Sequence, residues 1–527
     1  MNSRKLVYII TLALILFNLF YRISPALTNA PVFSLDAWSL LTDVKYMLEN
    51  GKGSLVSCNS LPSCYFGYWP SPIVITTITS QITNLNIYWA PVVVTFFMNT
   101  LFIFALLLII YRIILNKLMA FFFGSLIISS LWFTNIFYSG FKAEMIAMPL
   151  LMVLILLLIR FEEGNSRETK LIPLILYIFL IIVFTHHFTT YIAMATIGGY
   201  FVYKHVKNKL ASFDKRLFSI FSFSFLILVI YYSFQGFSTL ESFASEGFFP
   251  TLISYYLILL MITGYTLLKG FKKFYLYVTI LGIALAFVLS LGMSYFLPGM
   301  PSFSIYAASL APPLILVLIY GIFGAYFMNK DYDSRLPIIT SWSIAPFSLV
   351  IFSFFDGSGL TLNRGIIAAS IPMTVLSAYF IQRIFNVQKN LSLIKFVNAI
   401  IIAVVLINGI FIQFQPYFQQ RNVYTGISWY YSMDQIDQIK TIVHFIPQNS
   451  YVQSDSMFAQ LASFFNSTFT ISNSSLIFIN KLDFNNSKYY SFGIGLGYSW
   501  TNEFINLKIK NGDVLFNSED NMLIMKK

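Results

Sequence analysis

The sequence predicts a mainly α-helical, polytopic membrane protein with about thirteen spanning helices, a long first external loop and a small external α/β domain at its C-terminus. Three observations predict this fold class. Hydrophobic residues make up 57% of the 527 residues, and charged residues only 10%, against roughly 25% in an ordinary soluble domain. Apolar runs of about 17 to 25 residues, the length of a membrane-crossing helix, recur along most of the chain. The alternate loops between these runs are basic.

The apolar runs divide the chain into a membrane bundle over residues 1–413, with the first external loop at 24–87, and an accessory domain over residues 414–527. The first run follows Arg4 and Lys5, and no small-residue cleavage site follows it, so we interpret it as an uncleaved helix. The predicted spans are 6–23, 88–111, 118–138, 144–160, 171–185, 189–203, 217–233, 250–268, 274–297, 304–328, 336–354, 365–382 and 396–413.

The distribution of basic residues predicts the orientation. With a cytoplasmic N-terminus, about twenty Lys and Arg residues lie on the cytoplasmic side of the bundle and five on the other side. An odd number of spans then places the C-terminal domain outside the cytoplasm, in a multi-pass protein of the cell membrane. The formal net charge of +12 is therefore a topology signal and predicts no nucleic-acid partner.

The first external loop carries the first candidate site residues. In SLDAWSLLTDVKYMLENG, apolar residues including Trp38 recur at helical spacing, which predicts a helix along the membrane surface with Asp36 at its start. Asp36 is either a helix cap or a functional acid. Cys58 and Cys64 lie further along this external loop, where a disulfide or two free thiols are both compatible with the spacing.

Two later external turns add ionisable side chains at helix ends. Lys142 and Glu144 stand where the fourth span begins, and Glu144 is either a site acid or a side chain that reaches out to the interface. His186 and His187 lie between two apolar helices. Adjacent histidines point in different directions on a helix, so we expect one of them to face a polar cavity rather than both to bind one metal ion.

Arg364 lies just before the twelfth span, in an external turn that also holds Asp356. An external arginine departs from the positive-inside pattern. A guanidinium at the bilayer boundary suits a phosphate or diphosphate head group, which it binds through two hydrogen bonds. The alternatives are an ion pair with Asp356 and a contact with a lipid.

The residues beyond about 414 predict a short helix near Asp434 and several strands, the last two forming a hairpin around Asn517 to Asp520. This small domain either contacts glycans or protein acceptors or serves as a structural cap. The richness of the chain in Ile, Asn, Tyr and Lys hints at an archaeal or low-GC source.

Together these features resemble the polyprenyl-phosphate-dependent membrane glycosyltransferases of the C superfamily (GT-C). That superfamily includes oligosaccharyltransferase catalytic subunits, protein O-mannosyltransferases and aminoarabinose transferases. The resemblance is carried by the first-loop acid and aromatic (Asp36, Trp38), the acid of the second external turn (Glu144), about thirteen spans and the external C-terminal domain. Two departures stand against en bloc N-glycan transfer: the first loop has no Asp-x-Asp or Asp-Glu pair, and the tail has no Trp-Trp-Asp-Tyr-Gly sequence.

The resemblance implies transfer of a sugar from a polyprenyl (dolichyl) phosphate-linked donor in the membrane to a lipid, glycan or protein acceptor outside the cytoplasm. It makes Asp36 the general base or a ligand of a divalent metal, Mg or Mn, and Glu144 a second acid. It makes Arg364 the partner of the donor phosphate, and we assign Lys142, His186, His187 and Trp38 to substrate binding. The competing hypotheses are a transporter or flippase of a polar lipid or solute and a non-catalytic envelope scaffold.

Overall fold

A computed structural model of the chain describes residues 3–28, 35–51, 69–114, 117–131, 135, 140–164, 169–207, 214–234, 253–261, 305–331, 333–356 and 359–387, scattered positions between 400 and 441, and six short strands after residue 451. Its named helices, in chain order, are α1 (Ser3–Thr28), α2 (Leu35–Asn50), α3 (Pro70–Thr83), α4 (Ala90–Ile113), α5 (Lys117–Ser130), α6 (Ala143–Glu163), α7 (Leu171–Val183), α8 (His187–Lys207), α9 (Lys215–Phe234), α10 (Ile305–Lys330), α11 (Leu336–Asp356) and α12 (Gly359–Val387).

Apolar composition and length qualify six of the described helices to cross a membrane, and α5, α7 and part of α11 are shorter apolar helices. Ten of the predicted spans correspond to named helices, and residues 253–261 form a helix inside an eleventh. The predicted span 274–297 lies outside the described residues, as does most of 396–413. The number thirteen therefore stays a prediction.

One face of α1 is apolar and exposed. In the most apolar part of α1, only 22% of the residues are buried inside the protein, against 72% in the corresponding part of α6. Large apolar side chains exposed in this number on one helix indicate contact with lipid, because water would disfavour them. α6 is thus a central helix of the bundle and α1 a peripheral one. The exposed side chains of α1 include Leu6, Tyr8, Ile9, Leu12, Leu16 and Phe20.

Ion pairs join helix ends at one end of the bundle, here called the ion-pair end. Arg112 at the end of α4 and Arg335 just before α11 both contact Glu163 at the end of α6, at 3.2 and 3.4 Å. Lys204 of α8 lies 2.6 Å from Glu162. The sequence assigned the loops of these residues to one side of the membrane, and their direct contacts are consistent with that alternation.

Part of the first external loop is folded into helices. The predicted helix is present as α2, but it does not lie exposed along a surface: Trp38, Leu41 and Val44 are completely buried, as are Ala37 and Leu40. The reason is that α3 packs against it. The sequence analysis did not predict α3, which begins at Pro70, the residue type best suited to a first helical position.

The second half of the bundle depends on glycines at close helix contacts. α10 packs along α12, and Gly324 of α10 faces the backbone of Leu376 in α12 so closely that a Cβ would overlap the carbonyl oxygen. α12 also packs against α11, where Gly365 lies beside Val350 and Pro346. Small residues at such crossings let helices approach in lipid, where packing rather than water exclusion drives association.

The strands after residue 451 form two sheets. Four strands have the order β1 (Val452–Gln453), β2 (Leu476–Asn480), β6 (Asn521–Lys526) and β5 (Gly512–Asn517), and the β5–β6 hairpin lies where the sequence predicted it. A second hairpin, β3 (Tyr489–Gly493) and β4 (Leu496–Trp500), was not predicted. Most residues of the accessory domain lie outside the described part, so its boundary and its side of the membrane stay predictions.

The contact at Gly324 generates a stability prediction. We expect Gly324→Ala to lower the melting temperature in detergent, because overpacking against a backbone atom costs about 1–3 kcal/mol. Gly198→Ala in α8 is the matched control, since its Cβ would meet Phe221 at an ordinary 3.4 Å. Equal melting temperatures for Gly324→Ala and the unsubstituted protein would contradict the described packing of α10 on α12.

Candidate active site

Glu144 lies in the first turn of α6, at the end of the bundle opposite the ion-pair end. Its side chain is only 6% exposed, so it does not reach out to the interface. No side chain caps α6, and neither carboxylate oxygen of Glu144 has a hydrogen-bond partner among the described residues. The geometry therefore shows no capping of α6 by Glu144.

Two side chains from distant segments converge on one oxygen of Glu144. The Nε atom of Arg364 lies 3.4 Å from Oε1, and the Nε2 atom of His186 lies 3.5 Å from the same oxygen. Arg364 belongs to α12, and His186 stands between α7 and α8. Here we call these three residues the Glu144 cluster. The side chain of Asp356, the alternative partner predicted for Arg364, lies outside the described residues.

The contacts of His186 identify its tautomer. The backbone N–H of Thr189 donates to Nδ1 at 3.4 Å, and the Thr189 hydroxyl lies 3.2 Å from the same atom. Burial lowers the pKa of His186 well below its ordinary value, and the positive charges of Arg364 and Lys142 lower it further. The ring is therefore neutral at neutral pH. With Nδ1 acting as an acceptor, its proton is on Nε2, the atom that faces Glu144.

His187 connects the cluster to the first external loop. Its ring centroid lies 4.8 Å from that of His186 and 4.8 Å from that of Trp69, at the start of α3. The backbone N–H of Ser71 also donates to the carbonyl of Phe184 at 3.3 Å. Both histidines therefore belong to one region, although the sequence predicted that only one would face the site.

Lys142 immediately precedes α6 and is 7% exposed. Its ammonium group is close enough to His186 to act on the pKa of that ring. The structure thus brings together Lys142, Glu144, His186, His187 and Arg364, five of the side chains that the sequence predicted for the site, from three separate turns.

The remaining residues that the sequence singled out are Asp36, Trp38, Cys58 and Cys64. Asp36 is the second residue of α2, and its side chain lies outside what the structure describes. Trp38 is completely buried and lies edge-on to Tyr88, with ring centroids 6.4 Å apart. Cys58 and Cys64 lie outside the described residues. The roles of Asp36 and Trp38 and the disulfide therefore stay predictions.

The sequence interpretation passed over Asp43. This acid lies seven residues after Asp36 in α2 and is completely buried. Residues seven apart stand nearly above one another on a helix, so the two acids share a face. Spacing alone could have indicated this pair. The burial of Asp43 could not have been inferred from the sequence, because the apolar stripe of α2 predicted only one buried face.

The described residues contain no group of three or more His, Cys, Asp or Glu side chains arranged to hold a metal ion. Glu144 and His186 are two donors of the kinds that metals use, a carboxylate and an imidazole. Any third protein ligand has to come from a side chain such as Asp36, whose position is not described.

No family sequence model matches the chain, and a sequence comparison with curated proteins finds no match. Solved structures do match. The Archaeoglobus fulgidus oligosaccharyltransferase in complex with zinc and sulfate is 12% identical, with a TM-score of 0.55, and the match covers 88% of this chain and 62% of that one. Archaeal AglB from Archaeoglobus fulgidus, in complex with an inhibitory peptide and a dolichol-phosphate, is also 12% identical, with a TM-score of 0.55. That match covers 87% of this chain and 63% of the other.

The chain therefore spans less than two thirds of the length of these oligosaccharyltransferases. ArnT from Cupriavidus metallidurans, in its apo state, matches over nearly the whole of both chains, 98% of this one and 97% of that one, at 10% identity and a TM-score of 0.55. Likeness at this identity is a likeness of fold. The chain shares the fold of these oligosaccharyltransferases and of ArnT, which confirms the resemblance seen in its sequence at the level of the fold.

Proposed function

We propose that this chain is a membrane glycosyltransferase that moves a sugar from a polyprenyl-phosphate-linked donor to a lipid, glycan or protein acceptor on the extracytoplasmic side. The observation that carries the proposal is the buried Glu144 cluster at the helix ends opposite the ion-pair end. Such a cluster in a GT-C fold combines the two groups that the reaction needs, an acid and a phosphate-binding cation.

The reaction explains why a cation belongs beside the acids. When the acceptor oxygen attacks the anomeric carbon of the donor sugar, the bond from that carbon to the phosphate oxygen breaks. Negative charge then builds up on the leaving polyprenyl phosphate. Arg364 binds this phosphate through its planar fork of N–H donors, with Lys142 as a second cation. The guanidinium is suited to this role because its side chain is 25% exposed, unlike that of Glu144.

Asp36 is the proposed general base, which accepts the proton of the acceptor hydroxyl or amide as the new bond forms. Glu144 serves as the second acid and orients Arg364. His186 contributes an uncharged N–H beside the carboxylate, and His187 packs against Trp69 next to it. Trp38 keeps its proposed role in substrate binding through the packing of α2. The support for Asp36 is its place at the start of α2, a helix that packs against α3. The start of α3 in turn contacts the histidine turn, through Ser71 to Phe184 and through Trp69 to His187.

A divalent cation, Mg or Mn, is a further part of the proposal. Asp36 and Glu144 would hold it, and it would neutralise charge on the departing phosphate. The buried carboxylate of Glu144, with no hydrogen-bond partner among the described residues, fits a hard cation. The oligosaccharyltransferase of Archaeoglobus fulgidus was crystallised with zinc, which supports a metal in this fold.

The first prediction concerns the acids. We expect Asp36→Asn to lower transfer of labelled sugar from a dolichyl- or undecaprenyl-phosphate donor by about a hundredfold or more, because an amide cannot accept the proton. Glu49→Gln is the matched control, since Glu49 lies in the same helix and is exposed. Full transfer by Asp36→Asn would contradict the assignment of Asp36 as the general base. If the unsubstituted protein transferred no sugar from either donor, the proposed transferase function itself would be wrong.

The second prediction concerns the phosphate. We expect Arg364→Lys to weaken binding of the polyprenyl phosphate about tenfold, because an ammonium group cannot form the paired hydrogen bonds of the guanidinium. Tryptophan fluorescence titrated with the lipid phosphate measures this affinity without an acceptor. Arg383→Lys is the control in the same helix, because Arg383 pairs with Asp331 at the ion-pair end. Equal affinities for the two variants would contradict the assignment.

The third prediction concerns the metal. Incubation with EDTA should abolish transfer, and added Mn²⁺ or Mg²⁺ should restore it, because carboxylate ligands exchange these ions readily. The Glu144→Gln variant should need a higher metal concentration for half-maximal activity. Undiminished transfer in EDTA would show that Arg364 and Lys142 neutralise the phosphate alone.

A further inference from the structure

His186 is the N-cap of α8, the residue immediately before the first helical one. Its carbonyl accepts a hydrogen bond from the backbone N–H of Thr190 at 3.0 Å, four residues further on, and another from the Thr190 hydroxyl at 2.8 Å. An N-cap residue accepts the first hydrogen bond of its helix in this way. The side chain of His186, which is 8% exposed, therefore stands at the first turn of α8.

The imidazole of His186 caps this first turn. An N-cap side chain is usually that of Ser, Thr, Asp or Asn, whose oxygen accepts a hydrogen bond from the second or third N–H of the helix. Here Nδ1 is the acceptor, since the backbone N–H of Thr189, the third residue of α8, donates to it at 3.4 Å. A short side chain with an oxygen would cap the helix as well, so capping alone does not explain a histidine at this position.

The other ring nitrogen of His186 contacts the cluster. Nε2 lies 3.5 Å from Oε1 of Glu144, the oxygen that Nε of Arg364 approaches to 3.4 Å. Because Nδ1 is an acceptor, Nε2 carries the proton, and its N–H dipole faces the carboxylate. The two nitrogens lie on different edges of one rigid ring, so a single side chain makes both contacts. The shorter capping side chains have no second group that reaches Glu144.

An uncharged ring is the donor that suits this place. The positive end of the α8 dipole disfavours a charged imidazole, and the guanidinium of Arg364 is already beside Glu144. A buried carboxylate still needs donors around it, because burial removes the water that would otherwise solvate its charge. The N–H of a neutral His186 attracts the carboxylate without neutralising it, so the charge of Glu144 still acts on Arg364.

We propose that His186 is a positioning residue that ties the carboxylate of Glu144 to the N-terminus of α8, in place of the substrate-binding role expected from the sequence. Nδ1 fixes the ring on the helix, and Nε2 fixes Glu144 where it meets Arg364. Small displacements of positioned groups cost up to about a hundredfold in rate. The effect on sugar transfer rests on the proposed transferase function, whereas the two contacts of the ring do not.

Two substitutions in the full-length protein separate the two contacts, because each keeps one of them. His186→Asn keeps an oxygen that caps the helix, but its amide is too short to reach Glu144. His186→Gln places an N–H about as far from the backbone as Nε2, but it supplies a poor cap. His205→Asn, in the same helix, is the matched control for loss of an imidazole, since Nδ1 of His205 contacts only the carbonyl of Phe201, at 3.1 Å, among the printed hydrogen bonds of its own turn.

Two quantities distinguish the variants: kcat and KM for the lipid-linked donor, and hydrogen exchange at the amide of Thr189. We expect His186→Asn to lose about tenfold or more in kcat, with KM changed less than about twofold and with exchange unchanged. His186→Gln should keep kcat within about threefold and exchange the Thr189 amide about five- to tenfold faster, because the cap is lost. His205→Asn should leave both quantities unchanged.

The ring nitrogens are observed directly by nitrogen NMR. The chain has four histidines, so labelling only histidine with nitrogen-15 gives few signals, and those of His186 are the ones that His186→Asn removes. We expect His186 to be protonated at Nε2 and not at Nδ1. Glu144→Gln should shift the Nε2 signal of His186 and leave those of His205 in place, because the amide lacks the negative charge that polarises the N–H.

Any of four results would overturn the proposal: a His186 ring protonated at Nδ1, full kcat in His186→Asn, equal losses of kcat in His186→Asn and His186→Gln, or unchanged exchange at Thr189 in His186→Gln. If His186→Gln fails to fold, His186→Asn and the nitrogen spectrum decide. If the unsubstituted protein transfers no sugar but the spectrum and the exchange are as expected, the transferase function fails while the positioning of Glu144 stands.

Discussion

The hydrocarbon interior of the membrane imposes the constraint on which this structure depends. A charged side chain is costly there, so charges collect at helix ends or are buried against partners. At the ion-pair end, Glu163 is shared by Arg112 and Arg335, which joins three helices through one acid. Because the helices alternate in direction, the same constraint leaves their other ends to carry a second set of polar groups.

The second set differs from the first in how much solvent it contacts. The side chains of Arg112 and Glu163 are 38% and 27% exposed, whereas those of Glu144 and His186 are only 6% and 8% exposed. Exposed pairs are screened by water and contribute little energy, whereas buried ones interact strongly and require precise partners. The exposed pairs of the ion-pair end therefore add little to the stability of the bundle, while the burial of the Glu144 cluster supports the reaction site that we propose there.

The hydropathy pattern was sufficient to predict most of the membrane helices, because lipid-facing and buried apolar runs both exceed the length of a span. It also placed Lys142, Glu144, His186 and Arg364 at helix ends on one side of the bundle, and they meet at one end of it. The resemblance assigned Glu144 and Arg364 to one site, but the direct contact between them was not predicted. The ion pair considered for Arg364 was with Asp356 in its own turn, whereas the structure shows Arg364 beside Glu144, which is 220 residues earlier in the chain. Contacts between segments so far apart depend on which helices are neighbours, and one sequence does not contain that information.

The elements that the sequence failed to predict share a physical cause. α3, the burial of α2 and the hydrogen bonds from Arg22 to Asn99 and Asn135 all involve polar or mixed segments whose environment is protein rather than lipid or water. In such segments the hydropathy of a residue no longer indicates its surroundings, as Asp43 and Arg22 show by being completely buried. The same reasoning explains how a fold persists at 10–12% identity. Many apolar sequences satisfy the lipid-facing surfaces equally well, so two chains can share a bundle fold with few identical residues.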